Sequence, residues 1–170
     1  AQCTSGHSPV KTFMGKDHHR DHSFRIPRPD QYVVYKTPNT CTSCHKGKSD
    51  TWAAAAVKKW YGPTRAYHFS DDLLPGSLLN DQSEFHLVKL LGDTTQAEIA
   101  RATAAYYLGS IQTMTSAQAL LSVLQDKKAL LRYHALRSLE NFQPDIWQHK
   151  AIQALNDKVR SVRIAAADLF

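Results

Sequence analysis

The stretch LLRYHA at residues 130–135 decides how the second half of the chain folds, because related stretches lie 31 residues before and after it. These are IARATA at residues 99–104 and SVRIAA at residues 161–166. Each copy carries one arginine at the same position: Arg101, Arg132, Arg163. Self-similarity with a period of roughly 20–50 residues is typical of a solenoid of stacked supersecondary units.

Within each repeat the apolar residues follow helical spacing. Leu131 and Ala135 lie four residues apart, which places them on one face of a helix. Pro144 is the only proline after residue 90 and suits the first turn of a helix. Asp126 and Asp157 repeat in step and are expected in turns between paired helices, where they can cap free N–H groups. We predict helices over residues 83–91, 96–109, 115–125, 128–141, 144–156 and 158–170.

This periodic half resembles HEAT-like repeats in a short form of about 30 residues. The resemblance covers roughly residues 83–170 and implies an α-helical HEAT-like repeat solenoid that presents a surface to partners. We interpret the repeated Arg, Asp and Leu residues as structural. His134, His149 and His86 lie on the predicted helices and are likewise expected to be packing or surface histidines.

The first third of the chain has a different composition. Residues 1–62 carry ten Lys and Arg against four Asp and Glu, whereas residues 63–170 carry eleven of each. All three cysteines and five of the nine histidines precede residue 46. A basic segment can suit nucleic acid, but histidines beside cysteines favour metal chemistry, so we expect no nucleic-acid partner. No run approaches the roughly 18 apolar residues of a transmembrane helix, and the chain reads as a piece of a longer or processed protein.

The run CTSCH at residues 41–45 is a Cys-x-x-Cys-His motif. Two thiols at this spacing can add to the two vinyl groups of haem, and the adjacent histidine can supply an axial nitrogen to the iron. A zinc half-site and a thioredoxin-like redox pair are the alternatives. Zinc would need further ligands, usually a second cysteine pair, and thioredoxin would need a βαβ unit. We therefore predict haem c attached to Cys41 and Cys44, with His45 as an axial ligand.

A helix is predicted over residues 49–61, directly after this motif. Ser49 or Asp50 can cap it, and Gly62 followed by proline ends it. Trp52 and Trp60 lie two helical turns apart and can cover the flat face of a porphyrin. The alternative is that both pack under the repeats.

Four stretches of the first third together resemble one block of a known bacterial family. They are HSFRIPRPD at 22–30, TPNTCTSCH at 37–45, WAA at 52–54 and KWYGP at 59–63. The family comprises multihaem c-type cytochromes whose haem domain is followed by HEAT-like and often tetratricopeptide repeats. The resemblance implies a mainly α protein, with a loop-rich haem-c-binding domain over residues 1–75 and helical repeats over 76–170.

The family usually carries an earlier Cys-x-x-Cys-His-Met-Pro run, and the matching stretch here is CTSGHSP at residues 3–9. Cys3 and His7 fit that pattern, but Gly6 stands in place of the second cysteine. One interpretation is a second haem held by a single thioether at Cys3, with His7 on the iron. The other is a site that has lost its haem.

A haem iron bound by one histidine needs a sixth ligand, and a second histidine gives a low-spin centre suited to electron transfer. His22 and His68 lie in stretches similar to the family and are the distal candidates. His18 and His19, in a charged run, are expected to be exposed. Haem propionates are anionic, and nearby cations can pair with them or steer an acidic partner; the candidates are Arg20, Arg25, Arg28, Lys36, Lys46 and Lys48.

Three functions follow from these observations. The first is an electron-transfer module with one or two haems whose repeats dock redox partner proteins or other haem domains of the same longer chain. The second is a multihaem oxidoreductase acting on a small nitrogen or sulfur compound, and the third is a scaffold in which the motif binds zinc or nothing. We expect an electron carrier rather than an enzyme. Covalent haem is assembled outside the bacterial cytoplasmic membrane, so a periplasmic or extracytoplasmic location is expected with it.

Overall fold

The computed structural model describes Ser8, residues 10–20 and residues 26–170 of the chain. The described residues are mainly helical, which confirms the predicted fold class at that level. The chain divides into two compact units, Ala1–Ala66 and Tyr67–Phe170. Within the described ranges no helix is long and apolar enough to cross a membrane.

In its described residues, the first unit contains a short β-hairpin and three helices. Strands β1 (Val10–Phe13) and β2 (Asp17–Arg20) pair antiparallel around a turn in which Met14 and Gly15 adopt positive φ. The helices are α1 (Pro29–Tyr35), α2 (Thr40–Cys44) and α3 (Asp50–Tyr61). Helices α1 and α2 both pack against α3, so α3 is the element that organises this unit.

Helix α3 forms where the sequence predicts a helix, for the predicted reasons. The Ser49 hydroxyl accepts a hydrogen bond from the backbone N–H of Trp52 at 3.1 Å, which caps the first turn. A run of four alanines favours the helical interior. The helix ends at Gly62, whose φ of +83° suits a residue without a side chain.

The second unit consists of seven α-helices and one 3₁₀ segment among its described residues. In chain order they are α4 (Ser70–Ser77), α5 (Ser83–Gly92), α6 (Glu98–Leu108), α7 (Met114–Ser122), α8 (Ala129–Leu139), α9 (Pro144–Ala151), the 3₁₀ segment Ile152–Asn156 and α10 (Arg160–Ala167). The six predicted helices correspond to α5–α10. The prediction of one continuous helix over 144–156 was wrong in part, because the α-helix ends at Ala151 and the 3₁₀ segment begins at Ile152. Helix α4 was not predicted.

These helices pack in an alternating pattern. Helix α6 packs against α8 and α8 against α10, while α5 packs against α7 and α7 against α9. Leu131 and Ala135, which were predicted to share one face of α8, are fully buried, and so is Leu139 four residues further on. They belong to one apolar cluster that extends through the whole unit.

The hydrogen bonds and ion pairs of the repeated arginines and aspartates recur with the same 31-residue period as the sequence. Arg101 Nη2 lies 2.9 Å from Asp126 Oδ2, and Arg132 Nε lies 2.7 Å from Asp157 Oδ2. Arg132 and Arg163 each donate through Nη1 at 2.8 Å to the carbonyl oxygen of the aspartate six residues before them. Both aspartates also accept a backbone N–H from the residue two positions on, at 2.8 Å. These side chains stabilise the turns between helices, as the sequence predicts.

Candidate functional site

The cysteine motif lies on α2, and Asn39 fixes the start of that helix. Its Oδ1 accepts the backbone N–H of Cys41 at 2.9 Å, and its carbonyl oxygen accepts the Ser43 hydroxyl at 3.1 Å. Its amide nitrogen also donates to the carboxylate of Asp50 in the first turn of α3. Asn39 therefore caps α2 and ties it to the beginning of α3.

The two thiols of the motif lie on one helical turn and are not joined to each other. Cys41 and Cys44 are three residues apart, so their side chains leave the helix on the same side. The Cys44 thiol is exposed and the Cys41 thiol is half-buried. Burial raises the pKa of the Cys41 thiol above its ordinary value, and the neighbouring Cys44 adds to this rise.

His45 ends the helix, and its backbone is held on both sides. Its N–H donates to the Cys41 carbonyl oxygen at 2.9 Å, and its own carbonyl oxygen accepts the N–H of Lys48 at 3.0 Å. The imidazole ring lies 5.0 Å from the Trp52 ring, measured between centroids, at a tilt of 55°. The ring therefore lies beside the first turn of α3.

Aromatic side chains of α3 are available next to the motif. Trp52 is half-buried, and Trp60, two turns further along, is 69% exposed. Tyr61 is 73% exposed, whereas the one fully buried residue of α3 is Ala53. Lys48 Nζ lies 5.8 Å from the centre of the Trp52 ring. The ring faces of these aromatic side chains can contact a flat apolar group.

A covalently bound haem needs a defined set of donors. Covalent attachment needs two free thiols on one side of a turn, and the iron needs one nitrogen from the same motif because the porphyrin supplies four. Cys41, Cys44 and His45 meet these needs. In the described part of the chain, no three His, Cys, Asp or Glu side chains converge to hold a bare metal ion.

Three of the predicted site residues, Cys3, His7 and His22, lie outside the described residues, and their roles stay predictions. His68 lies in the second unit, immediately before α4. Its Nδ1 is 2.7 Å from the Ser70 hydroxyl, and its ring stacks on Phe69 at 4.1 Å between centroids. His68 thus contributes to the start of α4, and its role as an iron ligand stays a prediction.

The predicted cationic partners of the propionates have different environments. Arg28 is occupied by Asp30, with Nη2 at 2.8 Å and Nε at 3.1 Å from the carboxylate. Arg20 donates to the Ser8 carbonyl oxygen at 3.2 Å. Lys36, Lys46 and Lys48 are exposed, as are His18 and His19 on β2, while Arg25 lies outside the described residues.

One polar cluster was missed by the sequence interpretation. Asp72 on α4 is 2% exposed and accepts hydrogen bonds from His86 Nδ1 at 2.7 Å and from the Tyr67 hydroxyl at 2.5 Å. Lys89 Nζ lies 2.9 Å from the same carboxylate. Burial alone would raise the pKa of Asp72, but the hydrogen bonds from His86, Tyr67 and Lys89 outweigh it and lower that pKa. No local pattern in the sequence links residues 14 positions apart, so no signal was available.

Comparison of the chain with protein-family models, with curated proteins and with solved structures found no match. The resemblance to multihaem cytochromes therefore stays a prediction. The assignment of the site depends on the chemistry of Cys41, Cys44, His45 and the aromatic residues beside them.

Proposed function

We propose that this protein is an electron-transfer c-type cytochrome module, with a haem bound through Cys41 and Cys44 and His45 as an axial ligand. The observation that carries the proposal is a pair of unjoined thiols on one helical turn that ends at a histidine. The exposed aromatic residues of α3 support it. When bound, the haem supplies the one-electron chemistry.

The residues around the motif would orient the group and limit its movement. Asn39 holds the turn that carries both thiols. The backbone bonds on either side of His45, and its contact with the Trp52 ring, restrict the imidazole. Groups that fix a metal-binding histidine in this way tune the metal as well as hold it. No residue of this site is required to act as nucleophile or general base.

The second axial ligand and a second haem are parts of the same proposal. His22 and His68 remain the distal candidates, and Cys3 with His7 remains the candidate second attachment. A histidine on each side of the iron favours a low-spin electron carrier. A vacant sixth position would instead favour the oxidoreductase acting on a small nitrogen or sulfur compound.

The helical repeats are proposed to form a HEAT-like solenoid that docks a redox partner or another haem domain. The repeated Arg–Asp pairs and the alternating packing of α5–α10 support this arrangement. In a solenoid each unit packs only on its neighbours and leaves an extended surface for partners. Because covalent haem is assembled outside the cytoplasmic membrane, the proposed location is the bacterial periplasm or another extracytoplasmic site.

The proposal is tested by measuring covalent haem per chain. The protein is produced in a bacterial periplasm with haem-attachment machinery, and a pyridine haemochrome assay is combined with a reduced-minus-oxidised spectrum. We expect one or two haems that survive denaturation. The double variant Cys41→Ser, Cys44→Ser should lose one of them completely, whereas Ser43→Ala in the same turn should keep it.

The number of haems per chain and their spin state distinguish the attachment sites and the candidate functions. Two haems would support attachment at Cys3, and Cys3→Ser should then remove the second. One haem, lost in the double variant, would leave Cys41 and Cys44 as the sole attachment. A colourless protein would overturn the cytochrome proposal, and a high-spin spectrum would favour the oxidoreductase.

A further inference from the structure

The last helix of the second unit exposes positions that the two earlier repeats bury. Residues 31 apart are equivalent, so α6, α8 and α10 can be compared position by position. Ala105 and Leu136 are fully buried, whereas the equivalent Ala167 is exposed. Ala102 is also fully buried, and Ile164, two periods later, is 49% exposed. The part of the chain that the structure describes therefore leaves this apolar face of α10 uncovered.

The leucine that lies two residues before each turn aspartate follows the same pattern. Leu91 and Leu124 are buried, whereas Leu155 is exposed. The 3₁₀ segment that carries Leu155 packs against α10, so the exposed positions belong to the same end of the unit. In the earlier repeats the next repeat supplies the cover, because α8 packs against α6 and α10 packs against α8. The exposed positions are thus the ones that a further helical repeat would bury.

Arg163 adds a charge to this face, and its guanidinium is already oriented. Its Nη1 donates to the carbonyl oxygens of Asp157 and Lys158 at 2.8 and 3.3 Å. One repeat earlier, Arg132 makes the equivalent two bonds at the same distances. Arg132 also binds the Asp157 carboxylate through Nε and Nη2, at 2.7 and 2.8 Å. Among the described residues, no carboxylate lies within ion-pair distance of Arg163.

The chemistry of the earlier pairs indicates what would cover this face. In both pairs the arginine binds an aspartate that lies 25 residues further on, in the turn before the next helix. A second copy of this chain does not offer such a turn, because its own arginines already bind Asp126 and Asp157. At the other end of the repeats, α4 already packs against both α5 and α6. The fitting occupant is therefore a helical hairpin of a different molecule.

We propose that Leu155, Arg163, Ile164 and Ala167 form a docking site for a partner's α-helical hairpin that carries an aspartate in the turn between its helices. Arg163 binds the aspartate, because its planar fork of donors matches a carboxylate. The apolar side chains pack against the partner's helices, as the equivalent residues do between repeats. The inference rests on the repeat arrangement in the proposed function and does not depend on the haem.

The probe is a second copy of residues 140–170, appended after Phe170 of the full chain. Its turn aspartate then follows Arg163 by 25 residues, the spacing of both existing pairs, and the linkage gives the hairpin a high effective concentration. Thermal unfolding and amide hydrogen exchange in α10 are compared with those of the parent chain. The melting temperature should rise by roughly 2–4 °C, and exchange in α10 should slow.

Two pairs of substitutions test the contacts. Asp157→Asn made only in the appended copy should remove most of the rise, whereas Asp145→Asn in that copy, at an exposed acid outside the turn, should keep it. Ile164→Glu in the extended chain should abolish the rise over the unextended chain with the same substitution. Ser161→Glu on the same helix should keep it, because the equivalent Ile99 stays exposed although α8 packs against α6.

Several results would overturn the inference. An extended chain with unchanged melting temperature and unchanged exchange in α10 is one, and an equal rise with Asp157→Asn in the appended copy is another. Analytical ultracentrifugation of the parent chain is the third test, since a dimer that Ile164→Glu dissociates would assign the face to a second copy. The haem assay separates the two proposals: a haem-loaded protein whose extended chain gains nothing loses only the docking site, and a colourless protein that gains stability loses only the haem.

Discussion

Cys41 and Cys44 show how much the environment of one residue can differ within a single turn. Their three-residue spacing places both side chains on one side of α2, yet Cys41 is half-buried and Cys44 is exposed. The thiolate is the reactive form of cysteine, so burial that raises the pKa of Cys41 also lowers its reactivity. The two cysteines are therefore expected to react at different rates.

Alkylation of the haem-free chain tests this difference. At pH 8, Cys44 should react with iodoacetamide faster than Cys41, because Cys44 is exposed whereas burial of Cys41 restricts access to its thiol and raises the pKa of that thiol. Peptide mass spectrometry follows each cysteine separately. In denaturant the two rates should become equal, and faster labelling of Cys41 in the folded chain would contradict the structure.

At this scale the sequence predicts what is local. The motif of residues 41–45 and the cap at Ser49 depend on neighbours within a few positions, so they can be predicted from the sequence. His86 was expected to be structural, and its hydrogen bond to Asp72, 14 positions away, was not foreseen.

At the scale of elements, helix α4 is the clearest failure of the sequence interpretation. Pro75 and Gly76 lie inside it, although both residues usually interrupt helices. Gly76 is required by packing: a Cβ there would lie 2.5 Å from Leu87 Cδ2 on α5. The close approach of α4 and α5 selects the glycine, and helix propensity alone does not reveal such an approach.

The Arg–Asp pairs between repeats carry a prediction about stability. Asp157→Asn should lower the free energy of unfolding at pH 7 by about 1–3 kcal/mol, because it removes a charged partner of the half-buried Arg132. Urea unfolding measures this change. Asp168→Asn is the matched control, since its pair with Arg137 is exposed, and it should cost less than about 1 kcal/mol.

The pair of Arg132 and Asp157 also makes the stability of the folded chain depend on pH. The hydrogen bonds from Arg132 hold the pKa of Asp157 below its ordinary value of 3.8. The stabilisation is therefore present above that value and is lost as the pH falls through the lower pKa of the folded chain. Asp157→Asn should lack this part of the acid sensitivity, so the difference in free energy of unfolding between the parent chain and the variant should shrink from pH 7 to pH 2. A difference that stays the same over this range would contradict the assignment.

At the scale of the whole molecule, the two units differ in how they are stabilised. The second has one apolar cluster that includes most of its large buried side chains. Among the described residues of the first unit, the buried apolar side chains are few, chiefly Tyr32, Ala53 and Pro29. A small unit with little core commonly depends on a metal, a cofactor or disulfides, so the first unit is the one expected to gain stability when haem is attached.

Because the large cluster lies wholly within Tyr67–Phe170, that segment produced alone should keep its helical content and unfold cooperatively. Leu131→Ala in this segment removes a side chain with no exposed surface and should lower the free energy of unfolding by about 2–5 kcal/mol. Leu78→Ala, at a side chain that is 56% exposed, should change it by less than about 0.5 kcal/mol. Circular dichroism during thermal and urea unfolding measures all three chains. A gradual loss of signal in the parent segment, or equal effects of the two substitutions, would mean that the cluster depends on residues before Tyr67.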